Sequence, residues 1–201
     1  MTPEEIEQAS MAIIAEELGD WSGDEENLPV VKRVIHTTAD FDFARNLCFS
    51  GGAVARAREA LRRGVTVVTD TAMAAAGINK KAASRWNVPV VCHMGEPAVQ
   101  DEAMMRGTTR AVVSMERAAL DTPDAIFAIG NAPTALIHLC ELIRHRLVRP
   151  SLVIGVPVGF VNVVEAKEML SATDVPQIAA MGRKGGSTVA AAIVNALFYG
   201  M

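Results

Sequence analysis

From Val30 onward, short runs rich in Val and Ile alternate with longer segments of helical periodicity, and this alternation constrains the fold more than any other feature. Six runs read as strands: Val30–Ile35, Val65–Thr69, Val88–Cys92, Ala125–Ile129, Leu152–Val156 and Gln177–Ala180. Between and after them, helical segments are expected near Ala53–Arg63, Lys80–Trp86, Pro97–Arg106, Thr109–Leu120, Pro133–Leu147, Val163–Leu170 and Ser187–Phe198. Strands that alternate with helices imply βαβ units and parallel pairing. The expected architecture is a single α/β domain over residues 1–201. It has three α/β/α layers around a mostly parallel, doubly wound sheet. Half the residues are hydrophobic but only 4% are aromatic. The core must therefore be built from aliphatic side chains, which suits strands covered on both faces.

Ahead of this pattern, Thr2, Pro3 and Glu5 form a capping box with proline at the first helical position. Apolar residues at Ile6, Ala9, Ile13, Ile14 and Leu18 then predict a helix with one buried stripe. Ser10 shares that stripe, so its hydroxyl needs a partner, either in its own helix or in a ligand. The first residues are acidic rather than basic, unlike a signal peptide. The longest apolar stretch, Leu152 to Val164, is broken by Pro157 and too short to span a bilayer. No membrane association and a cytoplasmic location are expected. With a net charge of −4 and no basic stripe, nucleic acid is not an expected partner. Cys48, Cys92 and Cys140 are widely spaced and read as buried thiols. No metal-ligand spacing is visible, so neither a metal nor another cofactor is expected.

Doubly wound sheets bind ligands at the carboxyl ends of their strands. Here the segments that follow the strands are polar: His36 to Asp40, Asp70-Thr71, Gly130 to Thr134, and Gly182 to Ser187. The last, Gly182-Arg183-Lys184-Gly185-Gly186-Ser187, joins a strand to an Ala-rich helix. Glycines let amides face a ligand, and two cations beside a helix N-terminus suit an anion. A tight turn with solvated charges is the simpler alternative. The lysine precedes the glycine pair, so this is not a Walker loop. His36, among threonines and the acids Asp40 and Asp42, suits a general acid, or else a structural histidine. His93 is a weaker candidate, and His138 and His145 read as structural or surface residues. Arg110 begins a helix and favours an anion partner, unless it is simply exposed. Hydrolase and dinucleotide motifs are absent. On residues alone the chain reads as an α/β enzyme that binds a polyanionic molecule. A phosphate- or nucleotide-binding enzyme that uses the Gly182–Ser187 loop is the main competing reading.

Several segments together resemble the precorrin-8X methylmutase family of cobalamin biosynthesis. They are Ile6 to Ser10, RVIHTTADFDFA from Arg33, DTAMAAAGI from Asp70, TTRA from Thr108, AIGNAPTAL from Ala128, GVPVGFVNVVEAKEML from Gly155 and GRKGGSTVAAAIVNAL from Gly182. One departure is Ala39, where the family usually has glycine. The resemblance implies an α/β/α homodimer without a protein-bound cofactor. The implied reaction is a [1,5]-sigmatropic methyl shift from C11 to C12 of a corrin precursor, either metal-free or cobalt-loaded. It makes His36 the catalytic acid. It makes Ser10, Arg110, Arg183, Lys184, Gly185, Gly186 and Ser187 candidate contacts for the carboxylate arms of the tetrapyrrole substrate and product.

Overall fold

The computed structural model describes all 201 residues. It runs α1 (Pro3–Leu18), α2 (Leu28–Thr38), α3 (Phe43–Asn46), β1 (Leu47–Phe49), α4 (Ala53–Arg62), β2 (Val67–Thr69), α5 (Ala72–Gly77), α6 (Lys80–Arg85) and β3 (Val90–Val91). After a 3-10 turn at His93–Gly95 come α7 (Pro97–Arg106), α8 (Arg110–Asp121), β4 (Ile126–Ile129), α9 (Pro133–Arg144), β5 (Leu152–Gly155), α10 (Val163–Ser171), β6 (Gln177–Ala180) and α11 (Ser187–Tyr199). The sheet order is β1-β6-β5-β4-β2-β3, parallel throughout except for the antiparallel edge strand β1. The chain steps from β2 outward to β3, then returns past β2 to β4 and continues through β5 and β6. The strand order therefore reverses between β2 and β4, which places the ligand crevice of a doubly wound sheet there.

Alternating strand residues serve two cores. Val67, Ile126, Ala128, Ile154 and Ile178 pack against α2, α4 and α11, whereas Val68, Phe127, Ile129, Val153 and Ala179 pack against α8, α9 and α10. This is the period-two pleat of a sheet buried on both faces, and it gives the expected three layers.

Five of the six expected strands are present, Gln177–Ala180 with the expected bounds and the other four trimmed by a residue or more, but Val30–Ile35 is not a strand. It lies inside helix α2, with His36 in the last turn. The buried residues are Val30, Val31, Val34 and Ile35, spaced i, i+1, i+4, i+5, while Lys32 and Arg33 are only partly buried and His36 and Thr37 are exposed. That is a helical stripe, and Pro29 in the first turn sets its start. The β-branched residues are tolerated because tertiary burial outweighs a propensity difference of about 0.5 kcal/mol per residue. The outer position on the sheet goes instead to β1, which pairs Leu47 with Ala180 and Phe49 with Ile178.

Helix α1 carries the expected capping box, with Glu5 N–H donating to Thr2 Oγ1 at 3.2 Å and Thr2 N–H donating to Glu5 at 2.7 Å. Its stripe is only half covered: Ile14 is buried, but Ile6 is 53% and Ile13 56% exposed. Of the three cysteines, Cys140 is buried and its thiol is pushed up to about 12 by desolvation. Cys92 is half-buried, and Cys48 is exposed because it lies on the edge strand β1. The expectation of three buried thiols thus holds only for Cys140.

Candidate active site

At the switch point, the first strand of the pair ends in Asp70, whose side chain is 1% exposed. Its Oδ1 accepts from Gly130 N–H at 2.9 Å, and its Oδ2 accepts from Asn131 N–H at 2.7 Å and Ala132 N–H at 2.8 Å. These amides open α9, whose N-cap residue Ala132 has no capping side chain. Asp70 therefore fastens the β4–α9 turn from the neighbouring strand and occupies the amides that lead into the helix. Burial raises its carboxyl above the ordinary value, while the three amide bonds pull the other way. Those three amides are therefore not open to a phosphate.

The segment Gly182–Ser187 descends from β6 onto the same rim. Gly186 N–H donates to Val156 O at 2.9 Å, and Ser187 Oγ lies 2.8 Å from Thr71 Oγ1. The approach is close enough that a Cβ on Gly185 would fall 2.1 Å from Val156 O, and one on Gly130 2.7 Å from Gly186 O. Glycine is obligatory at both positions for that reason. Arg183 stacks over Phe160, 5.4 Å from the ring centroid, and Phe160 itself is 81% exposed. Lys184 Nζ meets Asp40 Oδ2 and Asp42 Oδ2, each at 2.6 Å. The hydrogen bonds that Lys184 donates to these carboxylates raise its ammonium above the ordinary value, and the lysine in turn lowers Asp42. The charge on Lys184 thus has counter-ions in its own chain, and its position no longer requires an external anion. Arg183 has no such carboxylate.

Those two aspartates follow the end of α2. Asp40 N–H donates to Thr38 Oγ1 at 3.3 Å and Asp42 N–H to Asp40 Oδ1 at 2.9 Å, a turn that presents both carboxylates to Lys184. The turn begins at Ala39, which is left-handed at φ 52°, ψ 32° and donates its N–H to Ile35 O at 2.7 Å. A glycine here would adopt that conformation without steric cost. His36 stands four residues before Asp40, exposed in the last turn of α2, and its imidazole takes part in no hydrogen bond or ion pair. Thr37 and Arg33 share a cavity of about 240 Å³ with Thr188 of α11. The last turn of α2 therefore lies beside the first turn of α11, and His36 sits at a helix end rather than a strand end.

Arg110 is the first residue of α8 and exposed, beside the α9 start through Thr109 Oγ1, which is 3.4 Å from Thr134 Oγ1. Ser10 is not brought to the rim. Its Oγ donates to Ile6 O at 2.9 Å. The Arg33–Glu7 ion pair at 2.7 Å joins α1 to α2, and Met11 shares a cavity with Leu28 and Lys32. The two helices therefore run in opposite senses, and Ser10 diverges from His36. Among the other histidines, His93 Nδ1 lies 2.5 Å from Glu96, His138 Nε2 2.7 Å from Glu116, and His145 is exposed at the end of α9.

Sequence reasoning missed Lys167. It lies on α10 in phase with the buried Val163, Ala166 and Leu170, is 0% exposed, and donates to Gly182 O at 2.7 Å and Lys184 O at 2.8 Å. Burial lowers its amine to about 8. The signal was available: one cation on an otherwise apolar helical stripe.

Comparison with known proteins adds independent findings. The family model for precorrin-8X methylmutase matches residues 5–200. The cobalt-precorrin-8 methylmutase of Priestia megaterium is 43% identical, over 97% of this chain and 87% of that protein. The precorrin-8X methylmutase of Pseudomonas aeruginosa is 41% identical, over 82% of this chain and 80% of that protein. The crystal structure of precorrin-8x methyl mutase from Thermus thermophilus superposes with a TM-score of 0.92 at 40% identity, covering 98% of this chain and 95% of that one. With these matches over nearly its whole length, the chain belongs to the precorrin-8X methylmutase family.

Proposed function

We propose that this chain is an isomerase of the cobalamin pathway. It moves a methyl group from C11 to C12 of precorrin-8X or its cobalt form, giving hydrogenobyrinate or cobyrinate. His36 supplies the proton or charge-assisted hydrogen bond that the macrocycle needs as its conjugation reorganises. That interaction is stronger in the transition state than in the substrate, which is what lowers the barrier. Arg183, Lys184, Gly185, Gly186 and Ser187 hold carboxylate arms on one side of the ring, and Arg110 meets an arm across the rim. Ser10 is not within reach of His36 in one subunit, which suits a role toward a partner subunit. A homodimer is accordingly part of the reading, and so is a cytoplasmic location; no helix is long and apolar enough to cross a membrane.

The observation that carries this reading is the pairing of Lys184 with Asp40 and Asp42, because it fastens the helix end that bears His36 to the basic loop. The deciding experiment is His36→Ala, assayed with both metal-free and cobalt-loaded substrate. Folding and product binding should survive, while methyl transfer falls roughly 100-fold or more, the size of a lost general acid. Near-native turnover would remove His36 from the mechanism.

A further inference from the structure

Three consecutive carbonyls of the basic loop are taken up by donors of the same chain. Gly182 O and Lys184 O accept from Lys167 Nζ at 2.7 and 2.8 Å, and Arg183 O accepts from Gly159 N–H at 3.2 Å. In a trans peptide the carbonyl of one residue and the N–H of the next point in opposite directions. Carbonyls held inward at 182 and 184 therefore turn the N–H groups of Arg183 and Gly185 away from the core, and the Arg183 carbonyl, held by Gly159 N–H, turns the N–H of Lys184 away from the 158–161 loop. No acceptor in the chain takes those three amides, nor the N–H groups of Ser187 and Thr188 that open α11. Successive outward amides make a concavity suited to an anion.

Lys167 is an expensive way to achieve only packing. It is fully buried, and its recorded partners are two neutral carbonyls, with no carboxylate in ion-pair range. A buried charge is weak evidence for stability, because an apolar side chain of the same length fills the volume without desolvation. What the ammonium adds is direction for two carbonyls and positive potential beneath the loop.

We propose that Lys167 is a positioning residue that sets the polarity of the 182–186 loop, holding the carbonyls of Gly182 and Lys184 inward so that the amides of Arg183, Lys184 and Gly185 face the carboxylate arms of the macrocycle. This rests on the reading of the loop as a substrate contact.

The test compares Lys167→Met, Lys167→Gln, the double variant Arg183→Ala/Lys184→Ala, and Leu170→Ala as a core control on the same helix. Binding is read from the visible spectrum of hydrogenobyrinic acid, alongside kcat, KM and Tm. Lys167→Met should raise both KM and the product dissociation constant roughly 10-fold, the loss of about one charge-assisted hydrogen bond, while kcat moves less than about 3-fold. Lys167→Gln keeps an N–H donor and should recover part of the affinity. Leu170→Ala should lower Tm and leave the dissociation constant unchanged. Unchanged product affinity in Lys167→Met overturns the proposal. Should that variant fail to fold, the native protein decides by NMR. The amide resonances of Arg183, Lys184 and Gly185 should shift on titration with hydrogenobyrinic acid, and unmoved resonances overturn the proposal. If the double variant binds product as tightly as the native protein, the loop reading itself fails. If the double variant weakens binding and Lys167→Met does not, only the role of Lys167 fails.

Discussion

Ala39 holds a left-handed conformation that costs an L-residue about 1–2 kcal/mol. Ala39→Gly removes that cost but adds back some freedom to the unfolded chain, so a net gain of about 0.5–1 kcal/mol is expected. Thermal unfolding should show it as a rise of about 1–4 °C for a chain of this size. A second single-residue test concerns Lys167. Its folded amine lies near 8, below the ordinary 10.5, so between those values the unfolded chain binds more protons than the native one. Stability should therefore rise with pH through that window, by up to about 3 kcal/mol relative to Lys167→Met, measured by urea unfolding at each pH. Desolvation is the cause, and below about pH 8 the full cost of the buried charge is present.

At the scale of elements, α9 depends on Asp70. Asp70→Ala strands three amides in the turn that leads into α9 and should cost about 2–4 kcal/mol. Formate at millimolar levels should restore part of the lost Tm in that variant and leave the native protein unaffected, since only the variant has an open cradle. The same scale shows how far the sequence speaks for the fold. The expected helix starts at Pro97, Pro133, Val163 and Ser187 coincide with the observed ones, because proline placement and helical periodicity are local signals. Val30–Ile35 failed because four β-branched residues mimic a strand, while the evidence for a helix lay in the spacing of buried positions and in Pro29. β1 was missed because three residues with an exposed Cys48 in the middle carry too little pattern; its partner β6 is more than a hundred residues away. The loop at 182–187 was legible as glycines and cations, but its counter-ions Asp40 and Asp42 became visible only when the chain closed on itself.

For the whole molecule, the open half of α1, with Ile6 and Ile13 exposed, and the exposed Phe160 and Val161 on the rim leave apolar surface at two places. A dimer that covers such surface is expected, and light scattering at assay concentration checks it; a fully active monomer would exclude it. A second molecular property follows from Asp70. A doubly wound sheet with a vacant switch-point cradle would be exposed to every phosphate ester in its surroundings, and at millimolar concentrations these would compete with a scarce substrate. By placing one of its own carboxylates there, the chain holds a tethered competitor that free phosphate cannot outnumber. Turnover should consequently be insensitive to millimolar ATP or inorganic phosphate, apart from the ionic-strength effect that chloride reproduces. The fold thus keeps the geometry of a nucleotide enzyme while the turn into α9 is closed to phosphate.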